Sequence, residues 1–208
     1  MTVDTHLIDL LRHGDCVGGP CFRGVRDDPL SRDGWQQMEQ ATAGLAGLTQ
    51  VISSPSRRCA EFAQSLASRL GLSLVLMDHL RERDFGDWEG LSAAEIPAAE
   101  FARFLADPTG FNLPNAEPFG AFRARVLATW QALCASPSPH RLLITHGGVI
   151  RVLVAEVLRM DDTALPCLEV PPACLTRIRL HPPPGRPSLV YHRPSTVDEL
   201  MNSDPDQP

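Results

Sequence analysis

Three stretches of the sequence combine residues that can hold and attack a phosphoryl group. They are Arg12-His13-Gly14, Ser53-Ser54-Pro55 followed by Arg57-Arg58, and His146-Gly147-Gly148. Arginine offers a planar fork of donors that matches phosphate oxygens, and histidine carries a nucleophilic nitrogen at neutral pH. If the three stretches meet, arginines, histidines and free helix N–H groups surround one site. The natural ligand of such a site is a dianionic phosphoryl group.

The segment Leu80–Gly90 supplies candidates for a proton donor. Transfer of a phosphoryl group to histidine leaves an alkoxide that must be protonated, and a carboxyl group can do this. The segment is dense in charged and aromatic residues and has no hydrophobic period, which is typical of a loop or a site. Its candidates are Glu82, Asp84, Asp87 and Glu89.

Apolar runs before the three stretches predict the strands that carry them. Four buried strands are expected over Leu7–Gly14, Val51–Pro55, Leu72–Met77 and Arg141–Thr145, and two later strands over Cys174–Leu180 and Ser188–His192. Helices are expected from Ser31 to Leu45, from Ser56 to Gly71, over Ala93–Leu105 with an interruption at Pro97, over Phe119–Leu133 and over Val149–Leu158. These repeated β-loop-α units predict an α/β fold with a mostly parallel sheet. Because the carboxyl ends of parallel strands share one crevice, the motifs should meet there.

Composition restricts the class of protein. The 208 residues fit one domain, expected over 1–193, followed by a polar and disordered tail over 194–208. A net charge of −6 without a basic stripe argues against a nucleic-acid partner. No apolar run approaches the ~18 residues of a membrane helix, and Asp4 and Asp9 do not fit a signal peptide. Six scattered cysteines without a CxxC pair favour reduced thiols in the cytoplasm.

Taken in order, the motifs resemble those of the histidine phosphatase superfamily, also called phosphoglycerate mutase-like. The resemblance rests on Arg12-His13-Gly14, on Ser53-Ser54-Pro55 with Arg58, on Leu80-Arg81-Glu82 leading into Phe85–Gly90, and on Thr145–Arg151. It extends over most of the chain. It implies a three-layer α/β/α fold with a mostly parallel central sheet.

The resemblance also implies roles for five residues. His13 would be the nucleophile that becomes a phosphohistidine. Arg12, Arg58 and His146 would bind the phosphoryl oxygens. Glu82 would protonate the leaving oxygen and then activate the hydrolytic water. In-line phosphoryl transfer needs little beyond positioning and dispersed positive charge, so no metal or cofactor is implied.

Further contacts to the substrate are expected from Gly147 and from two loops. The first loop, 18–26, contributes Arg23 and Gly24 as substrate-binding residues, and Phe22 as a part of its lip. The second loop, 107–119, offers Phe111 and Asn112. Long loops inside a compact domain are usually functional, and such a lip could contact parts of an ester beyond its phosphate.

The resemblance implies a phosphomonoesterase for a small-molecule phosphate ester. The Phe85–Gly90 and Thr145–Arg151 blocks are most similar to family members that hydrolyse α-ribazole 5′-phosphate in cobalamin biosynthesis. Two alternatives stay open. One is the same chemistry on another ester, as in a broad phosphatase or a mutase, and the other is a non-catalytic phosphate-binding module. Retention of both histidines with Glu82 argues against the module, because a binder needs no proton donor.

Several residues in or near the motifs have competing interpretations. Arg57 fits a solvated helix charge, while Arg58 has the register of the motif. Asp84 is an alternative to Glu82 as the acid. Glu117 either orients a binding arginine or caps the following helix through its dipole. Trp88 fits an aromatic residue packed in a lid better than a platform for a base.

Overall fold

The computed structural model describes residues 6–136 and 138–195. The strands are β1 (His6–Arg12), β2 (Gln50–Ser53), β3 (Leu74–Leu76), β4 (His140–Thr145), β5 (Leu175–Leu180) and β6 (Ser188–Arg193). The α-helices are α1 (Arg32–Thr42), α2 (Arg57–Leu70), α3 (Ala98–Ala106), α4 (Phe119–Ala135) and α5 (Gly147–Leu158), and short 3₁₀ helices cover Asp78–Leu80, Gly86–Trp88 and Asp162–Cys167. From residue 196 onward, the predicted tail lies outside the described residues. In the described ranges, no helix has the length and apolar character needed to cross a membrane.

The strands form one mixed sheet in the order β3-β2-β4-β1-β5-β6. The pairs β1–β4, β2–β4 and β2–β3 are parallel, whereas β1–β5 and β5–β6 are antiparallel. The predicted α/β fold with a mostly parallel sheet is therefore confirmed. Since β2, β4 and β1 are parallel neighbours, their carboxyl ends lie side by side. The three motifs leave the sheet at that edge.

Two apolar layers enclose the sheet, one on each face. Successive residues of a strand point to opposite faces, and β4 shows this: Leu143 packs in one core cluster, while Leu142 and Ile144 pack in the other. The first cluster includes apolar residues of α4 and α5, and the second includes those of α1 and α2. The result is the expected three-layer α/β/α arrangement.

The first loop and α1 fit together through two glycines. Ser31 caps α1, since its Oγ accepts a hydrogen bond from the Gly34 N–H at 3.0 Å. A Cβ at Gly14 would collide with the backbone carbonyl of Gly34. The absence of a side chain at Gly14 thus lets the loop after β1 lie against the start of α1.

Three predicted elements differ from the structure. β3 is a short edge strand rather than a buried one, and Leu76 is 52% exposed because nothing pairs with the outer side of β3 among the described residues. The helix expected to reach Leu45 ends at Thr42, whose Oγ1 donates to the Met38 carbonyl at 2.8 Å. The helix expected from residue 93 begins only after Pro97, because proline fits the start of a helix but not its interior.

A separate aromatic cluster covers the carboxyl edge of the sheet. Trp88, only 3% exposed, packs with phenylalanines from the first loop, α3 and the 107–119 loop. The rings of Phe22 and Trp88 lie 5.1 Å apart, edge to face. Trp88 is therefore a packing residue of this cluster rather than an exposed platform for a base.

Candidate active site

His13 is the first residue after β1 and is 7% exposed. Its Nδ1 atom lies 2.8 Å from the carbonyl oxygen of Gly14. A carbonyl can only accept, so Nδ1 carries the proton and Nε2 keeps its lone pair. Burial lowers the pKa of His13 well below 6.5, and the positive charges of Arg12 and Arg58 lower it further. The ring is neutral at pH 7 and Nε2 is available as a nucleophile.

His146 packs against His13 at the end of the neighbouring strand β4. The ring centroids are 5.3 Å apart at an interplanar angle of 65°. The His146 Nε2 atom lies 2.8 Å from the hydroxyl of Ser54, which follows β2. Burial lowers the pKa of His146 well below 6.5, and the charge of Arg58 adds to this. The ends of β1, β4 and β2 therefore meet as the sheet topology requires.

Arg12 and Arg58 each keep one buried donor unpaired. Arg12 donates Nη1 to the Val170 carbonyl at 2.5 Å. Arg58 donates Nη1 to the Arg26 carbonyl at 2.7 Å and Nη2 to the Gly24 carbonyl at 2.8 Å. In both arginines Nε is buried and has no hydrogen-bond partner among the described residues. An unpaired buried donor costs about 1–3 kcal/mol, so an acceptor that reached these groups would be stabilised.

Glu89 anchors the loop whose carbonyls hold the second of these arginines. Its carboxylate accepts hydrogen bonds from the N–H groups of Gly24 at 2.9 Å, Val25 at 3.1 Å and Arg26 at 3.0 Å, and also from Phe85 at 2.9 Å. Four amides converge on one carboxylate. Glu89, one of the four carboxyl candidates, thus fixes a loop instead of presenting an acid to a ligand.

Glu82 is held at the start of α5. Its Oε2 accepts from the Gly148 N–H at 2.8 Å, and its Oε1 accepts from the Arg83 N–H at 3.0 Å. A Cβ at Gly148 would collide with this carboxylate, so the glycine makes room for Glu82. By contrast, the Asp84 carboxylate accepts locally from the Gly86 N–H at 2.8 Å. The geometry favours Glu82 over Asp84 as the acid.

Arg125 on α4 fixes the backbone around Glu82. It donates Nη1 to the carbonyls of His79 at 2.9 Å and Arg81 at 2.7 Å, and Nη2 to the carbonyl of Glu82 at 2.9 Å. Glu117 holds this guanidinium in a bidentate pair at 2.7 and 2.8 Å. Of the two interpretations of Glu117, orientation of an arginine is the one that the structure supports. That arginine positions backbone rather than ligand.

A cavity of about 550 Å³, here called the strand-end cavity, opens at the carboxyl edge of the sheet. Five of the predicted site residues line it: Arg12, His13, Arg23, Glu82 and Gly147. Gly147 is the first residue of α5, where N–H groups have no partner within the helix. The predicted residues Arg58 and His146 are fully buried behind this lining.

Of the two first-loop residues predicted to bind substrate, Arg23 lines the strand-end cavity and Gly24 does not. Arg23 lines the cavity, and its Nε donates to the Asp28 carboxylate at 2.8 Å. Gly24 was expected to contact the substrate, but its N–H is bound to Glu89 and its carbonyl to Arg58. The structure therefore places Gly24 in the support of Arg58 rather than in the cavity lining.

The residues of the predicted lip separate into two groups. Phe22 lines the strand-end cavity together with its neighbour Arg23. Phe111 packs on Trp88 in the aromatic cluster, with ring centroids 5.7 Å apart, and Asn112 lines a different hollow. Of the three residues named for the lip, Phe22 alone lines the strand-end cavity in the described part of the chain, and the second loop borders a neighbouring cavity through Pro108 and Phe119 instead.

From the sequence, Arg125 was not identified as a functional residue, and Glu89 was named as a candidate proton donor. The structure shows that Glu89 binds backbone amides. The signal for Arg125 is faint: it lies eight residues after Glu117, about two helical turns. The four amides around Glu89 come mostly from a loop more than sixty positions away in the chain. Local sequence gives no sign of such a contact.

Comparisons with known proteins agree with this geometry. The family model of the histidine phosphatase superfamily (branch 1) matches residues 8–192. A glucosyl-3-phosphoglycerate phosphatase of Mycobacterium tuberculosis is 33% identical over 178 residues, which cover 76% of this chain and 78% of that protein. A bifunctional protein of the same species is 36% identical over 125 residues, and the match covers only 34% of that longer protein.

Solved structures show the same fold. A mycobacterial hydrolase superposes with a TM-score of 0.80 at 28% identity, covering 91% of this chain and 99% of that one. An α-ribazole phosphatase from Shigella flexneri superposes with a TM-score of 0.77 at 22% identity, covering 92% and 98%. The family match, the phosphatase relatives and the residues gathered at the strand ends agree: the chain belongs to the histidine phosphatase superfamily and is a phosphatase.

Proposed function

We propose that the protein hydrolyses a small phosphate monoester through a phosphohistidine at His13. The observation that carries this proposal is the neutral His13 ring, whose Nε2 is free while Nδ1 is bound to the Gly14 carbonyl. Beside it stand the two buried arginine donors, on Arg12 and Arg58, that need an acceptor. These are the requirements of nucleophilic phosphoryl transfer.

The reaction takes place in two steps. In the first, His13 Nε2 attacks phosphorus, the P–N bond forms, and the bond to the ester oxygen breaks as Glu82 gives its proton to that oxygen. In the second, the Glu82 carboxylate takes a proton from water, the water oxygen attacks phosphorus, and the P–N bond breaks. Arg12, Arg58 and His146 stabilise the charge that is spread over the phosphoryl oxygens.

Glu82 has a test that separates it from Asp84. An acid matters least when the leaving group is already stable as an anion. Glu82→Gln should therefore slow hydrolysis of alkyl phosphates far more than hydrolysis of p-nitrophenyl phosphate. Equal losses on both esters, or a larger loss in Asp84→Asn, would assign the role to another group.

We propose α-ribazole 5′-phosphate as the substrate. Two features support it: the similarity of Phe85–Gly90 and Thr145–Arg151 to phosphatases of that ester, and Phe22 and Arg23 at the cavity, where they can contact ribose or base. Such remote contacts raise transition-state binding for the full substrate only. We expect kcat/KM for α-ribazole 5′-phosphate to exceed that for p-nitrophenyl phosphate or 3-phosphoglycerate by about a hundredfold, equivalent to about 2.7 kcal/mol.

A phosphoglycerate-type ester is the second candidate. It is favoured by the glucosyl-3-phosphoglycerate phosphatase relative and by Arg151, which lines the cavity with Nη1 next to Gly147 and could bind a carboxylate. Rates on the three purified esters separate the candidates. A preference for 3-phosphoglycerate, or equal rates on all three, would reject the α-ribazole assignment and leave the phosphohistidine chemistry in place.

A further inference from the structure

A second cavity adjoins the strand-end cavity and has a different chemical character. It measures about 390 Å³ and is here called the apolar cavity. Its walls are mostly apolar side chains of α3, α4 and α5 and the segment that follows α5: Phe104, Leu105, Phe119, Phe122, Val152 and Leu165. A space of this size and lining suits the hydrophobic part of a small ligand.

The two cavities meet at the proposed proton donor. Phe22, Glu82, Phe85 and Arg151 line both of them. His13 and Arg12 line only the strand-end cavity, which places the phosphoryl group on that side. The ester oxygen must lie next to Glu82 in order to receive its proton. Because Glu82 lines both cavities, the group attached to that oxygen leaves the phosphate at their boundary and can extend into the apolar cavity.

Two basic side chains stand at the wall of the apolar cavity, and they differ in their partners. Arg83 donates two N–H groups to backbone carbonyls, at 2.8 and 3.2 Å. Among the described residues Arg151 donates only its Nε, so its Nη1 stays beside Gly147 at the boundary with the strand-end cavity. A polar or charged alcohol placed among the phenylalanines would lose its hydration with little in return. An apolar group would gain from leaving water.

We propose that the apolar cavity binds the alcohol part of the ester, and that this part carries a flat, apolar ring system. The proposal rests on the phosphomonoesterase function and names the substrate class for the same site. It requires that apolar extension of the ligand beyond the ester position strengthens binding. It also requires that a carboxylate in that position weakens it.

The test uses three phosphonates that keep the dianion but cannot be hydrolysed. They are benzylphosphonate, 2-naphthylmethylphosphonate and 3-phosphonopropionate, and their dissociation constants for the wild-type protein are measured by calorimetry. We expect the naphthyl compound to bind at least about tenfold more tightly than the benzyl compound. The carboxylate compound should bind the most weakly of the three. Equal affinities, or tightest binding of 3-phosphonopropionate, would overturn the proposal.

Two matched variants locate the ring. The test position is Leu105, the penultimate residue of α3, which is 60% exposed and lines the apolar cavity. The control position is Leu70, the last residue of α2, which is 45% exposed and does not line that cavity. The naphthyl-to-benzyl preference should fall at least about threefold in Leu105→Asn and stay unchanged in Leu70→Asn. If both variants keep the wild-type preference, the ring binds elsewhere and the assignment of this cavity is wrong.

Hydrolysis of p-nitrophenyl phosphate, measured in parallel, keeps the two proposals apart. A naphthyl preference without turnover of any ester would contradict the proposed function but support the apolar site. Turnover without a naphthyl preference would support the function and reject the apolar site.

Discussion

Arg125 donates Nη2 to the main-chain carbonyl of Glu82 at 2.9 Å. Glu82, the proposed proton donor, is thus positioned through its own backbone from α4. In the described residues this helix contributes no side chain to the strand-end cavity. The same guanidinium bonds the carbonyls of His79 and Arg81 and is held by Glu117. The position of Glu82 is therefore fixed both by Arg125, through the backbone, and by the hydrogen bond between its carboxylate and the Gly148 N–H of α5.

Replacing Arg125 should impair proton donation selectively. Lysine is a compact charge without the planar fork, so Arg125→Lys cannot hold three carbonyls and a carboxylate together. We expect kcat/KM for an alkyl phosphate to fall about tenfold, or about 1.4 kcal/mol, and that for p-nitrophenyl phosphate to fall less than about twofold. Arg123→Lys is the control, because Arg123 lies on the same helix and its ion pairs, in the described part of the chain, are with the exposed carboxylates of Glu156 and Asp162. An equal loss on both esters in Arg125→Lys would refute the positioning role.

Gly148→Ala tests the space around Glu82. The new methyl group would push on the end of a flexible side chain, so the carboxylate moves while the fold is kept. We expect the midpoint of thermal unfolding to change little and hydrolysis of alkyl phosphates to fall at least about tenfold. Wild-type rates in a correctly folded Gly148→Ala protein would contradict the position assigned to Glu82.

Glu89 should act on phosphate binding through Arg58. Without its charge, the amides of Gly24, Val25 and Arg26 lose their common acceptor, and the carbonyls that hold Arg58 lose their support. In Glu89→Gln we expect the inhibition constant of inorganic phosphate to rise about tenfold.

The matched control is Asp161→Asn, which changes an exposed carboxylate that accepts from the N–H and hydroxyl of the exposed Thr163, away from the strand-end cavity. Its inhibition constant should stay at the wild-type value. If Glu89→Gln lowers kcat while phosphate inhibition is unchanged, Glu89 does not act through Arg58.

The two histidines buried at the strand ends predict a loss of stability in acid. Burial lowers the pKa of both His13 and His146 below 6.5 in the folded state. Below pH 6.5 the unfolded chain takes up protons that the folded chain does not, so the free energy of unfolding decreases as the pH falls through that value. Between about pH 7 and about pH 5.5 each histidine should contribute a loss of roughly 1 kcal/mol. Urea unfolding at the two pH values measures this decrease in the free energy of unfolding. The decrease should be smaller in His13→Gln than in the wild type. Equal decreases would contradict the buried neutral state of His13.

Much of the fold was predictable because its signals are local. An apolar run ended by Arg12-His13-Gly14, and a second ended by His146-Gly147-Gly148, identify strands that deliver polar residues to one edge. The length and edge position of β3 were not predictable, because the apolar pattern of Leu72–Met77 fits a central strand and an edge strand equally well. Its exposure depends on which strands flank it, and that is a property of the whole sheet.

The residues that meet at the strand ends were predicted from their types and motifs, whereas the residues that support them were not. Arg58 differs from Arg57 in register, and the structure agrees: Arg58 is fully buried, while Arg57 pairs with Glu61 at the surface. Glu89 and Arg125 act by bonding main-chain groups of distant segments. Any residue type can present a main-chain amide or carbonyl, so such contacts leave no pattern in the sequence.

The most direct measurement is the identification of the phosphorylated residue during turnover. Protein mixed with a labelled substrate and quenched in alkali should carry an acid-labile, base-stable phosphoryl group on His13, located by mass spectrometry of the peptides. The label should be absent from His13→Ala and should accumulate in Glu82→Gln, where activation of water is impaired. A label that persists in His13→Ala, or one found on another residue, would contradict the account.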